Sequence, residues 1–188
     1  MSGPDVIATS RAARLLPMRE EHLDRVLAIE AKTAPAGWTR GVFRNELALT
    51  ESRCYVVLEL PPHGVVAFGG MQMLASEAHI TTLAVDPAHR RRRLATCLLV
   101  ELLRRGRAMD ARSATLEVRL TNIAAQRLYA GLGFRPVGVR RRYYEGTDDA
   151  LIMWAHDIDG PEFDRLLVER AATVDLDVAS FAPPHGGR

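Results

Sequence analysis

The chain has 188 residues, 47% hydrophobic and 26% charged, with a formal net charge of +2. That length suits one domain with a proper core, and the composition is that of an ordinary soluble globular protein. So small a charge gives no footprint for nucleic acid, and no run is apolar and long enough to span a membrane. Residues 1–11 are polar and irregular and are expected to be disordered. A short strand over 14–18 opens the ordered chain. Leu23, Val26, Leu27 and Ile29 form a helical stripe over 20–31, broken by Ala34-Pro35-Ala36-Gly37. Thr39 is placed to cap a second helix reaching about Leu49. Strands over 54–60 and 65–74 flank the turn Pro61-Pro62-His63-Gly64, and a third covers 79–85. A long helix over 94–109, a strand over 114–118, a helix over 123–132 and strands over 134–143 and 150–156 follow. Gly160-Pro161 marks a boundary; Phe163, Leu166, Leu167 and Arg170 then share one face of a short helix. Beyond Val178 the chain is Pro/Gly-rich and expected to be disordered. The order β-α-α-β-β-β-α-β-α-β-β is a mixed α/β pattern.

Arg90-Arg91-Arg92-Arg93 crosses the junction between the strand ending at Asp86-Pro87 and the long helix beginning at Leu94. The first turn of a helix carries unpaired N–H groups and partial positive charge, a seat for phosphate. Arginines around that seat suit a polyanionic cofactor; the plainer alternative is a solvated basic face. Cys54 and Cys97 lie far apart in apolar patterns, so free buried thiols are expected, with no metal ligation. Met1 to Ser10 lacks the apolar core of a signal peptide, so a cytoplasmic protein is expected.

The run from Ala84 to Ala95 resembles the acyl-CoA signature of the GNAT acetyltransferases, with Arg90 and Ala95 at its ends. Arg93 stands where the family has glycine; if the role needs only a backbone N–H, a helical non-glycine serves it. Leu116-Glu117-Val118-Arg119 with Thr121-Asn122, Ala125, Leu128-Tyr129 and Gly133-Phe134 is similar to the family's second half. Arg142-Tyr143-Tyr144 and 148–153 supply a third match. Together they resemble the branch of protein N-terminal acetyltransferases, RimI-type enzymes of ribosomal protein alanine and archaeal Ard1-like enzymes. The resemblance covers 12–157, with 158–188 left as a C-terminal extension. It implies the GNAT fold: a mixed, mostly antiparallel central sheet flanked by helices, splayed between two strands to admit acetyl-CoA. It also implies an N-acetyltransferase with acetyl-CoA as co-substrate and no metal. The expected partner is a protein N-terminus, ribosomal by analogy. No membrane or specific nucleic acid is expected, and the chain is expected to be a monomer or weak dimer.

Acetyl transfer needs a polarised thioester, a deprotonated amine and a protonated leaving thiolate. Glu117, inside an apolar strand, is the expected base, its pKa pushed up by desolvation; otherwise it faces solvent or pairs with Arg119. Tyr129, 12 residues on, is the expected acid, or else a core tyrosine. His79 is a rival base suited to neutral pH, or a structural histidine; the two could share a water. By the resemblance, backbone groups of Leu83, Ala84 and Val85 hold the thioester and pantetheine. Arg90, Arg91, Arg92, Arg93, Leu94 and Ala95 take the pyrophosphate, and Asn122 contacts the cofactor. Tyr143 and Tyr144, in the last loop, and Trp38, before the second helix, are expected to wall a peptide groove. The basic run Arg140-Arg141-Arg142, near the expected acceptor side, could meet ribosomal RNA or an acidic substrate, and reads more simply as exposed strand charge. Rival functions are a small-molecule or lysine acetyltransferase, a non-catalytic acyl-CoA-binding module and, disfavoured by the low charge, a nucleic-acid binder.

Overall fold

Alternating apolar runs and helical stripes assemble here into a single sheet with helices on both faces. The computed structural model describes residues 13–34, 37–174 and 178–180. The segment 1–11, expected to be disordered, lies outside the described residues, as do residues 181–188 of the tail expected to be disordered beyond Val178, whereas Ala179 and Ser180 of that tail form part of a strand. The strands are β1 (Ala13–Pro17), β2 (Arg53–Leu60), β3 (Gly64–Leu74), β4 (Glu77–Val85), β5 (Ser113–Arg119), β6 (Arg135–Tyr144), β7 (Asp148–Ala155) and β8 (Val178–Ser180). The helices are α1 (Leu23–Thr33), α2 (Arg40–Ala48), α3 (Leu94–Ala108), α4 (Ile123–Gly131) and α5 (Pro161–Ala172). The sheet has eight strands in the order β6-β7-β5-β4-β3-β2-β1-β8. It is antiparallel except where β4 meets β5 and β1 meets β8.

Each face buries its own apolar cluster. Leu98, Leu99, Leu102 and Leu103 of α3 pack on Val56, Leu58, Met71 and Leu116, and Phe163 and Leu167 of α5 join them. On the other face Leu23, Val26 and Ile29 of α1 and Phe43 of α2 cover Val57, Phe68 and Ala84. Thr39 caps α2 through Val42 N, as its position suggested. The first expected helix is shorter at its start: Glu20–His22 is a 3-10 turn and α1 begins at Leu23. The strand β8 departs from the expected order. Three residues carry too little periodicity to register as a strand, and its pairing beside Leu15 comes from far along the chain.

Two irregularities position the site. β4 pairs with β5 only at Glu77, Ala78 and His79, opposite Ser113, Ala114 and Thr115. Beyond His79 the two parallel strands part, while β4 stays paired to β3 as far as Val85. This is the splay that the resemblance implied. In addition, Gly70 pairs with Thr82 and Met71 with Ile80, so Thr81 is an extra residue, a β-bulge. The bulge resets the alternation of β4. Ala78 and Ile80 face α3 before it, Leu83 and Val85 after it, and Ala84 turns to α1. Gly70 is required here: a Cβ on it would lie 2.1 Å from the Tyr55 ring that rests over it.

Candidate active site

A groove of about 460 Å³ runs between β4 and α4. Leu83, Ala84 and Val85 line one wall, Arg90, Arg91, Arg93, Leu94 and Ala95 its end, and Asn122, Ala125, Leu128 and Tyr129 the other wall. The groove therefore gathers the residues expected to hold a cofactor, with one exception: Arg92 is exposed and does not line it. His89 and Thr33, which the sequence did not single out, do.

Arg93 corrects a second expectation. Its backbone is not helical but left-handed, φ 58° and ψ 19°, as the N-cap of α3, and Arg91 is also at positive φ, 67°. A glycine is unstrained there and an arginine is not, which accounts for the family's glycine. The Arg93 side chain makes no capping bond, so the first-turn amides of α3 remain available to an anion. Asn122 does cap, accepting from Ala125 N at 3.1 Å, which leaves its amide nitrogen for another partner. Asp86 anchors the turn that precedes the arginines. It accepts from Arg25 Nη2 at 2.8 Å, Lys32 Nζ at 3.4 Å and Ala88 N at 3.2 Å. Burial alone would raise its carboxyl, but the Ala88 amide and the two cations hold it below the usual range.

At the point where β4 and β5 part, His79 and Glu117 meet. Leu116 and Val118 face the α3 side, so strand alternation turns Glu117 to the opposite face, and His79, between Ala78 and Ile80, follows the same rule. His79 Nε2 lies 2.7 Å from Glu117 Oε2. Gln72 Nε2 approaches His79 Nδ1 at 3.4 Å. Arg140 Nη1 reaches Glu117 Oε1 at 3.2 Å. Arg119 instead pairs with Glu145 and Asp148. The expected upward shift of Glu117 is not found. The hydrogen bond from His79 outweighs desolvation and, with the charge of Arg140, holds the carboxyl below its ordinary value. Glu117 is thus a stable carboxylate.

Tyr129 is buried against Phe134, ring centroids 5.9 Å apart, and burial pushes its phenol up, keeping it protonated. Tyr143 and Tyr144 are the last residues of β6 rather than loop residues. Tyr144 donates to the Glu117 carbonyl at 3.0 Å, lies under Arg119, and has its phenol pushed up to about 12 by burial first. Tyr143 is exposed. Trp38 packs on Phe43 and Tyr55, at 5.3 and 6.0 Å. Its backbone N–H donates to the buried Glu30 Oε1 at 3.1 Å, and burial raises the Glu30 carboxyl. Tyr55 carries this cluster to the bulge: its hydroxyl donates to Glu46 at 2.8 Å and lies 3.2 Å from Thr81 Oγ1. Gln72 and Glu30 escaped the sequence reading, and Arg140 was visible there only as part of a basic run.

The cysteines are free, and burial lifts both thiols to about 11. Among the described residues no cluster of His, Cys, Asp and Glu forms a metal site, and no helix is long and apolar enough to cross a membrane.

Comparison with known proteins places these features in context. The profile of the acetyltransferase (GNAT) family matches residues 23–134. A putative ribosomal protein bS18-alanine N-acetyltransferase of Bacillus subtilis is 36% identical over 138 residues, 73% of this chain and 91% of that one. The bS18-alanine N-acetyltransferase of Escherichia coli K12 is 33% identical over 129 residues, 66% of this chain and 84% of its own. Among solved structures, the ribosomal-protein-S18-alanine N-acetyltransferase of Escherichia coli superposes with TM-score 0.69 at 28% identity, covering 77% of this chain and 94% of that one. Ard1 of Thermoplasma volcanium gives 0.71 at 25%, with 77% and 97% covered.

Proposed function

The chain belongs to the GNAT acetyltransferase family, and from that premise we propose that it transfers acetyl from acetyl-CoA to the N-terminal amine of a protein, an alanine of a ribosomal protein in particular. The relatives that carry this activity by name support the acceptor class. The observation that carries the reading further is the Glu117–His79 pair at the parting of β4 and β5, with Glu117 held as a carboxylate.

A carboxylate of lowered pKa is a weak base. It serves best an amine that is already partly neutral. An α-amine, with pKa about 7.7–8.0, is neutral in about one molecule in three at pH 7.5; a lysine, at about 10.4, in about one in a thousand. Glu117 therefore orients the amine and receives its proton as the new bond forms, and His79 holds the carboxylate in place by donating from Nε2. Tyr129, protonated and lining the groove, is the group suited to return a proton to the leaving sulfur.

Acetyl-CoA supplies the activated acyl group. The residues present fit it. The arginines and the α3 amides match its phosphates, and the apolar wall of Leu83, Ala125 and Leu128 matches its arm. Past His79 the β5-facing backbone of β4 is released from the sheet, so its N–H groups can polarise a carbonyl. The transfer is direct, since the buried Cys97 thiol, pushed up to about 11, is no nucleophile. Trp38 and Tyr143 would flank the acceptor.

The test is acetylation of two peptides followed by mass spectrometry, one with a free alanine N-terminus and no lysine, the other blocked with an internal lysine. The first alone should be modified, and Glu117→Gln should lower kcat by about a hundredfold or more. Modification of the lysine peptide instead would overturn the reading.

A further inference from the structure

Arg140 belongs to a run that sequence alone reads as exposed strand charge, yet its guanidinium lies 3.2 Å from Glu117 Oε1. The two oxygens of this carboxylate are thereby divided. Oε2 takes His79, which is anchored on β4 and backed by Gln72. Oε1 takes a half-exposed side chain from β6, a strand exposed along most of its length. The Arg140 guanidinium carbon also sits 4.9 Å from the centroid of the exposed Tyr143 ring. The arginine thus has a second resting place on a π-face, one it can keep after leaving the carboxylate. The other groups around Glu117 do not compete for Oε1. Tyr144 of β6 bonds its carbonyl, Ile152 of β7 stands opposite in register, and Arg119 is occupied by Glu145 and Asp148.

We propose that Arg140 is a specificity-determining residue that occupies, in the free enzyme, the cation position beside Glu117 Oε1 which the acceptor's ammonium takes on binding. This deepens the acceptor reading above and rests on it. An incoming amine must displace the guanidinium, so binding is an exchange of one cation for another. An N-terminus with no cationic form, such as a blocked one, gains nothing by the exchange. A small N-terminal ammonium reaches Oε1 while Arg140 swings onto Tyr143.

The experiment compares wild type with Arg140→Gln and Arg140→Lys, using the alanine peptide and a non-reactive copy carrying an N-terminal trimethylammonium as competitive inhibitor. Arg140→Gln should lower KM for the peptide and the inhibition constant of the trimethylated copy by about threefold or more, with kcat changed less than KM. Arg140→Lys should restore the wild-type values. An Arg140→Gln enzyme whose KM rises or stays unchanged would overturn the proposal, since Arg140 would then be holding the acceptor or not touching its path. A substrate-free readout separates this from failure of the acceptor reading. The Glu117 side-chain carboxyl, followed by 13C NMR, should titrate higher in Arg140→Gln than in wild type, whatever the true acceptor. An unmoved titration means that the contact is absent in solution and the proposal falls; a moved titration with an unmodified alanine peptide indicts the acceptor reading alone.

Discussion

The arginine at the N-cap of α3 shows how one residue can be tolerated for what its backbone does. A non-glycine held at φ 58° loses about 1–2 kcal/mol relative to a helical or extended conformation. Arg93→Gly should therefore raise stability by about 0.5–1 kcal/mol, the relief of strain exceeding the extra freedom of the unfolded chain. Thermal unfolding measures it. Affinity for CoA should stay the same or tighten; binding weakened tenfold, about 1.4 kcal/mol, would mean that the side chain itself grips the cofactor. Glu117 makes a prediction of its own. Its carboxyl lies lower in the folded chain than its ordinary 4.5, so its contribution to stability is complete above that value and is lost as pH falls through the folded value. His79→Ala removes the main cause, and the acid side of the stability profile should move to higher pH. Because Glu117 is ionised throughout the neutral range, the rise of kcat/KM between pH 6 and 9 should instead follow the acceptor's own amine, near about 7.7–8.0.

Except for β6 and β8, each strand and helix buries an apolar face, and that made it legible in the sequence. The stripes of α1 and α3 and the Asn122 and Thr39 caps are local signals that tertiary packing did not overrule. What escaped had non-local causes. The bulge at Thr81 depends on a partner strand, and apolar residues on both sides of it hide the phase change. The fall of the Glu117 carboxyl needs two partners brought from 38 and 23 residues away in sequence, His79 and Arg140, so reasoning from one strand's burial gave the wrong sign. The conformation of Arg93 was likewise invisible without the turn before it. Gly70 tests the element scale directly. Gly70→Ala must push the Tyr55 ring aside, so it should cost about 1–3 kcal/mol and disturb the Tyr55–Thr81 contact that seats the bulge. Denaturant unfolding with Tyr55 as a neighbouring probe would read both.

At the scale of the molecule, α1 touches both halves of the site. Arg25 and Lys32 hold Asp86, at the root of the arginine loop, while Glu30 holds the Trp38 amide on the acceptor side. Asp86→Asn should weaken CoA binding without touching any residue of the groove, and destabilise the fold by about 1–3 kcal/mol. Calorimetric titration with CoA, beside thermal unfolding, separates the two effects.

The parting of β4 and β5 has a thermodynamic sequel. Two parallel strands that pair for three residues and then diverge forgo the remaining rungs of their ladder, and each backbone group so released must find another partner. A ligand bearing amides of its own can stand in as a ninth, non-peptide strand, bonded along β4. Such a ligand does more than occupy the cleft: it bridges the seam where the sheet has lost its rungs, and resistance of β4 and β5 to hydrogen exchange should rise with saturation.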